Sequence, residues 1–325
     1  MTRDTLRPFV EKIAEKYPSA GNLTIAKMLV RDHPEVFTDV ERTRAVVRYW
    51  RGSLGAVNRR QVPNPIPSPK FKPGKKRIGG WAPYRVKLPC NALVLSDVHI
   101  PYHDDEAIKV ALQTGKKEKV DTIILAGDIL DCHALSFWMT DPRERKFKEE
   151  LDQTRGFLCM LREKFPSATI VYKLGNHEER YEHYMISKAP EMLDISEFSL
   201  DTLLWLDDLQ IDLVDEKRIV KVGDLNIVHG HEWKGGATNP VNPARGLFLR
   251  AKSYTMCGHF HQASYHQGKT IDDKVTACWS LGCLCDMHPH YRPFNEWTHG
   301  FGLVRADKDG HFEARTPVIK GGKSY

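Results

Sequence analysis

Nowhere in the 325 residues does an uncharged apolar run approach the roughly 18 to 20 residues that a bilayer-crossing helix needs, so no membrane span is expected. The start, Met1 to Tyr17, is charged and amphipathic, without the apolar core or small-residue cleavage site of a secretory leader. Cysteine pairing is missing as well. The seven cysteines (Cys90, Cys132, Cys159, Cys257, Cys278, Cys283 and Cys285) are odd in number and contain no Cys-X-X-Cys spacing. A disulfide framework is therefore not expected, and reduced thiols fit a cytoplasmic protein. Cys283 and Cys285 alternate on a strand-like stretch and read as packing residues rather than thiolate ligands. An apolar content of 41% excludes disorder along the whole chain.

What is present is unevenly charged. Residues 1–80 carry 17 Lys and Arg against 7 Asp and Glu, whereas the remainder is slightly acidic. A basic front suggests a polyanionic partner. Within it, residues 5–51 read as three short helices: Leu6, Val10 and Ile13 recur at helical spacing, Asn22 opens a second helix, and Thr38 or Asp39 can cap a third that ends near Arg51-Gly52. The third carries Arg42, Arg44, Arg48 and Arg51. This pattern suits a helix-turn-helix-like basic module, with a plain helical appendage as the alternative. Residues 1–55 are assigned to that module and 56–85 to a Pro-rich basic linker, in which Lys70, Lys72, Lys75, Lys76 and Arg77 could touch nucleic-acid phosphates.

Residues 86–325 alternate apolar strands with amphipathic helices, as an α/β domain does. Five strands end in polar residues that can bind metal. Ala92–Leu95 leads to Asp97 and His99, Val120–Ala126 to Asp128 and Asp131, and Thr169–Leu174 to Asn176 and His177. Leu225–Val228 leads to His229 and His231, and Ser253–Cys257 to His259 and His261. Residues just past the carboxyl ends of strands stand where open α/β sheets place their ligands. Two divalent ions roughly 3.5–4 Å apart can clamp the attacking and leaving oxygens of a phosphate ester, and they need carboxylates to offset their charge. Mixed imidazole and carboxylate donors suit manganese, zinc, iron or nickel better than calcium.

In this order the blocks Asp-X-His, Gly-Asp-X-X-Asp, Gly-Asn-His-Glu, a single His and Gly-His-X-His resemble the signature of the calcineurin-like metallophosphoesterase superfamily. The resemblance implies an α/β/β/α sandwich, with the small N-terminal helical domain in addition, and a metal-dependent hydrolase acting through a metal-bridged hydroxide. It implies that Asp97, His99 and His261 hold one ion, Asn176, His229 and His259 the other, and Asp128 both. His177 then acts as general acid or stabilises the transition state, oriented by Asp131. His231 is a less favoured substitute for His229.

Departures from the superfamily narrow the substrate. Protein phosphatases continue the second block as Asp-Arg-Gly, but here Cys132-His133 follows Asp131, so a phosphate-gripping Arg is missing at that place. His133, Arg180, His231, Arg245 and Arg250 are candidate substrate contacts, with helix-surface arginines as the alternative for the last two. The preferred substrate is a nucleic-acid phosphodiester, because positive charge precedes the phosphoesterase blocks. The alternative is a phosphomonoester of a nucleotide, small molecule or phosphoprotein, with the N-terminal module binding a partner; a DNA-binding regulator with a structural metal site is a third reading. The residues 181–224 read either as a cap or as a packing layer.

Overall fold

The structure, a computed structural model, describes residues 3–51, 81–138, 143, 146–215, 217–233 and 241–325. The chain divides into two compact units, one within residues 1–78 and one within 79–325. The stretch holding Lys70, Lys72, Lys75, Lys76 and Arg77 lies outside the described residues.

The first unit contains α1 (Arg3–Lys16), α2 (Asn22–Asp32) and α3 (Val40–Trp50). Their apolar stripes meet in one small core, with Val10, Ile25, Ala26, Leu29 and Val47 almost fully buried. Asp39 caps α3, as its position predicts, by accepting a hydrogen bond from the Arg42 backbone N–H at 2.7 Å. The four arginines of α3 have different surroundings. Arg42 and Arg48 are exposed, and Arg44 lies 3.4 Å from Glu41. Arg51 donates to the Ala20 carbonyl (2.6 Å), Asn22 Oδ1 (3.0 Å) and the Pro18 carbonyl (3.0 Å), so its guanidinium ties α3 to the α1–α2 turn.

The second unit is built on two six-stranded sheets among the described residues. Its elements in chain order are β1 (Tyr84–Arg85), β2 (Cys90–Leu95), α4 (Asp105–Lys117), β3 (Thr122–Leu125), α5 (Phe147–Lys164), β4 (Thr169–Lys173), α6 (Glu179–Lys188) and the single turn α7 (Leu200–Leu203). There follow β5 (Ile211–Val214), β6 (Val220–Val222), β7 (Leu225–Val228), α8 (Pro243–Ala251), β8 (Thr255–Cys257), β9 (Ser264–Lys269), β10 (Val275–Ser280), β11 (Gly302–Ala306) and β12 (Phe312–Arg315). One sheet runs β12-β11-β2-β3-β4-β5, the other β1-β6-β7-β8-β10-β9. Tyr84 and Arg85, inside the stretch read as linker, pair in parallel with β6 and so extend the second sheet.

Strand alternation explains the layering. Leu93, Leu95, Ile123, Leu125, Ile170 and Tyr172 face a core shared with α4, α5 and α6. Their neighbours Ala92, Val94, Ile124 and Val171 face the other way, onto Val222, Ile227, Met256 and Ala277 of the second sheet. Both faces of the parallel strands are therefore apolar, as burial on two sides requires. The outer face of the second sheet packs through Val228, Cys257 and Cys278 on Ala244 and Leu247 of α8. Helices, sheet, sheet and helix make the α/β/β/α sandwich. Leu204 and Leu206 are buried in the helix-side core, so the segment between α6 and β5 is a packing layer there.

β2, β3 and β4 are mutually parallel, as are β7 and β8. Their carboxyl ends emerge along one edge of the sandwich, where the polar blocks of the sequence meet.

Candidate active site

The loops at this edge are held in conformations that side chains seldom adopt. Asp97, His99, Asp128, His259 and His261 all have positive φ, between 51° and 70°. Each such residue costs roughly 1–2 kcal/mol, and strain of this kind collects at functional sites. The glycines of the blocks make room for the carboxylates. A Cβ on Gly258 would stand 2.5 Å from Asp97 Oδ2, and one on Gly175 would stand 2.3 Å from Asp128 Oδ1.

Two trios of side chains result, one on each side of Asp128. In the first, His99 Nε2 and His261 Nε2 face each other at 3.1 Å, and Asp97 Oδ1 is 3.3 Å from His261 Nε2. In the second, His229 Nε2 is 3.1 Å from Asn176 Oδ1, and His259 joins it, its ring centroid 5.1 Å from that of His229. Asp128 Oδ2 lies between them, 3.1 Å from His229 Nε2 and 3.8 Å from His99 Nε2. Asp128, His229 and His259 offer donor atoms close enough to share an ion. The candidates Asp97, His99, Asp128, Asn176, His177, His229, His259 and His261 are thus brought together from five separate strand ends.

Most of these groups are pinned from behind. His229 Nδ1 donates to the Ala126 carbonyl at 2.9 Å, which turns Nε2 toward the cluster. Asp97 accepts the His259 backbone N–H and the Ser96 hydroxyl, the latter at 2.6 Å. Glu178, fully buried, accepts from the backbone N–H groups of Asp128, Ile129, Leu130 and Gly175 and from the Tyr172 hydroxyl, at 2.7–3.1 Å. It staples the loop after β3 to the loop after β4. Glu232 does the same for the loop after β7, accepting from the backbones of His229 and Gly230 while it pairs with the buried Lys173 ammonium at 2.9 Å.

Electrostatics follow from this crowding. Burial opposes ionisation of Asp97, but His261 and His229 outweigh it and hold the carboxyl down at about 2. Burial likewise disfavours charge on His229 and His261, yet Asp128 and Asp97 respectively raise them to about 10. His259, partly buried and beside His229, falls to about 4, its partial burial and the neighbouring ring both disfavouring a proton. Asp131 Oδ1 lies 2.5 Å from His177 Nδ1 and 3.4 Å from His99 Nδ1. Burial opposes a charge on His177, and Asp128 and Asp131 overcome it, so its pKa stands above the usual value.

The other sequence candidates have varied surroundings. Arg180 donates to the Asp131 carbonyl at 3.1 Å and reaches His177 Nε2 at 3.0 Å, beside the cluster. His231 turns to Glu179 at 2.9 Å, so His229 and not His231 completes the second trio. The His133 ring packs on Tyr102, and Arg245 is exposed on α8 outside the cleft lining. Arg250, about one helical turn beyond Arg245, does line the cleft of about 430 Å³ over the cluster, and so do Arg292 and Trp297. Arg292 and Trp297 lie in a loop whose sequence signals are its histidines and aromatic residues and its place after the end of β10. Glu232 and Lys173 were also not singled out; the one available hint is a Lys in an otherwise apolar strand.

The cluster's chemistry fits divalent cations. His99 and His261 nitrogens, the Asp97 and Asp128 carboxylates, Asn176 Oδ1 and His229 Nε2 all present lone pairs to a common space, which only protons or cations can satisfy.

The chain is 26% identical over 243 residues to the Gene 54 protein of Mycobacterium phage L5, covering 70% of this chain and 94% of that protein. It is 25% identical over the same length to the Gene 54 protein of Mycobacterium phage D29. Among solved structures, Vacuolar Protein Sorting 29 from Cryptosporidium parvum is 13% identical with a TM-score of 0.39, covering 73% of this chain and 94% of that one. The phosphoesterase Yfce from E. coli is 12% identical with a TM-score of 0.32, covering 71% and 100%. A family model for calcineurin-like phosphoesterases matches residues 91–281, the span that contains all five polar strand ends, and the chain belongs to that family of metal-dependent phosphate-ester hydrolases.

Proposed function

We propose that the cluster is a two-metal centre that hydrolyses nucleic-acid phosphodiesters. Asp97, His99 and His261 would hold one divalent ion and Asn176, His229 and His259 the other, with Asp128 available to each. The observation that carries this reading is the position of Asp128 Oδ2 between the two trios at the floor of a cleft that Arg250 and Arg292 also line. When bound, the ions supply Lewis acidity to the phosphoryl oxygens and to the attacking water. The donor set suits manganese, with zinc, iron or nickel as substitutes.

The chain's own residues do the rest. Asp131 holds His177 by Nδ1, so that Nε2 faces the cleft next to the Arg180 guanidinium. At rest Arg180 donates to His177 Nε2; when the leaving oxygen takes over that hydrogen bond, Arg180 stabilises its charge and His177, still held by Asp131, carries the proton it receives. The guanidinium groups of Arg250 and Arg292 suit a substrate with further phosphates on either side of the reacting one. In the N-terminal unit, the exposed Arg42 and Arg48 of α3 offer a basic face to the same polyanion.

The test offers manganese-loaded protein a simple phosphodiester, a phosphomonoester and end-labelled DNA, with Asp128→Asn as the inactive control. Cleavage of the diester and of DNA is expected. Turnover of the monoester alone would refute the nucleic-acid reading and favour a monoesterase.

A further inference from the structure

The reaction leaves part of the cleft wall unused. Beside the second trio, Phe260 sets its ring 5.1 Å from that of His259, and Trp233 and Arg250 line the cleft with it. Trp233 and Phe260 pack on the core under α8, the helix that carries Arg250, so these three form one wall. Beside the first trio, the Trp297 ring packs tilted against His261 with centroids 4.1 Å apart, with Tyr291 next to it at 6.5 Å and Arg292 following Tyr291 in the chain. Each trio therefore has its own pair of aromatic rings and its own guanidinium.

This duplication bears on the substrate. A monoester has one organic substituent and needs one such wall, whereas a diester has two, one on either side of phosphorus. Arg250 is exposed in the cleft lining, and Tyr291 is 76% exposed beside the catalytic cluster. Aromatic faces next to a guanidinium are what unpaired nucleobases stack upon, because every base has a π-face and its flanking phosphates need a cation. Bases inside a duplex are already stacked and paired, so they cannot use such walls without being extruded.

We propose that the two walls are stacking subsites for the unpaired nucleobases on either side of the scissile phosphate, which makes the enzyme selective for single-stranded or unpaired nucleic acid. This rests on the phosphodiesterase reading above. Trp233 and Phe260 hold one base, Tyr291 and Trp297 the other, and Arg250 and Arg292 meet the flanking phosphates.

The experiment uses the full-length manganese-loaded protein and four substrates: a short single-stranded oligonucleotide, the same sequence as a duplex, methyl p-nitrophenyl phosphate, a diester without bases, and p-nitrophenyl phosphate, a monoester. The single strand is expected to exceed the duplex in kcat/KM by on the order of tenfold or more. Tyr291→Ala and Arg250→Ala should each lower the ratio of kcat/KM for the single strand to that for the small diester by on the order of tenfold, chiefly through KM. Tyr291→Phe, which keeps the ring, should retain the ratio, as should Ile271→Ala on a 99% exposed turn outside the cleft lining. Equal rates on single strand and duplex, or an unchanged ratio in Tyr291→Ala and Arg250→Ala, would overturn the subsites while the phosphodiesterase reading stands. Hydrolysis of a monoester but of no diester would overturn both.

Discussion

Replacing Glu178 by glutamine changes neither size nor shape, yet it should be among the most damaging single substitutions in the molecule. Oε2 accepts from the backbones of Asp128 and Gly175, and Oε1 from Ile129, Leu130 and the Tyr172 hydroxyl. An amide nitrogen cannot accept. Whichever way the new side chain turns, at least two hydrogen bonds are lost and two N–H groups are aimed at N–H donors. Hydrogen bonds to a charged acceptor are worth about 1.5–3 kcal/mol each, so the expected loss is about 3–6 kcal/mol. Set against a typical total of about 5–15 kcal/mol, that is a large fraction. The loss should show as a lower urea midpoint with an unchanged slope. Because the same bonds fix the Asp128 backbone, manganese affinity measured by calorimetry should fall by about 10- to 100-fold. A glutamine variant within about 1 kcal/mol of the parent and binding manganese equally well would show that Glu178 is not the staple described.

His177→Asn should retain manganese but slow diester hydrolysis by on the order of 10²–10⁴, most for poor leaving groups; full turnover on those would remove the acid role. Metal binding should strengthen as pH rises. His229 and His261 of the metal-free protein keep protons up to about pH 10, and ligation requires the neutral rings, so binding near neutral pH must release protons. Calorimetry in buffers of differing ionisation enthalpy would reveal that release, and its absence would refute the assignment. The same raised values stabilise the metal-free fold below the unfolded histidine pKa of about 6.5, and this contribution is lost as pH climbs through about 10. Arg51→Ala should destabilise the N-terminal unit by about 1–3 kcal/mol in thermal unfolding through its lost carbonyl ties, whereas an effect confined to DNA affinity would make Arg51 a phosphate contact instead.

The metal-binding blocks were readable because each is local: an apolar strand followed within a few residues by Asp, Asn or His. The parallel strands then bring the blocks to one edge with no further information needed. Glu178 was visible as part of a block, but its task was not, since four of its five partners sit either at the other loop or across β4. Lys173 and Glu232 meet only after two sheets stack; Arg245 and Arg250 were both legible as candidates, but only the helix face decides that Arg250 lines the cleft, and Arg292 and Trp297 reach it from an irregular loop. The segment between α6 and β5 gave no clear period because single turns interrupt it. Arg51 looked like a surface charge until the turn supplying its carbonyl partners folded back, some 31 residues away in the chain.

The candidate ligands come from both sheets: Asp97, His99, Asp128 and Asn176 follow strands of one, and His229, His259 and His261 follow strands of the other. An ion held by residues of both acts as a rivet through the seam of the sandwich. Separating the layers then requires releasing the cation, and at a free concentration one hundred times its dissociation constant each ion adds about 2.7 kcal/mol to that separation. The same atoms that activate a phosphate would thus set how firmly the two halves of the domain are joined, and a chelator would loosen the sandwich as well as silence it.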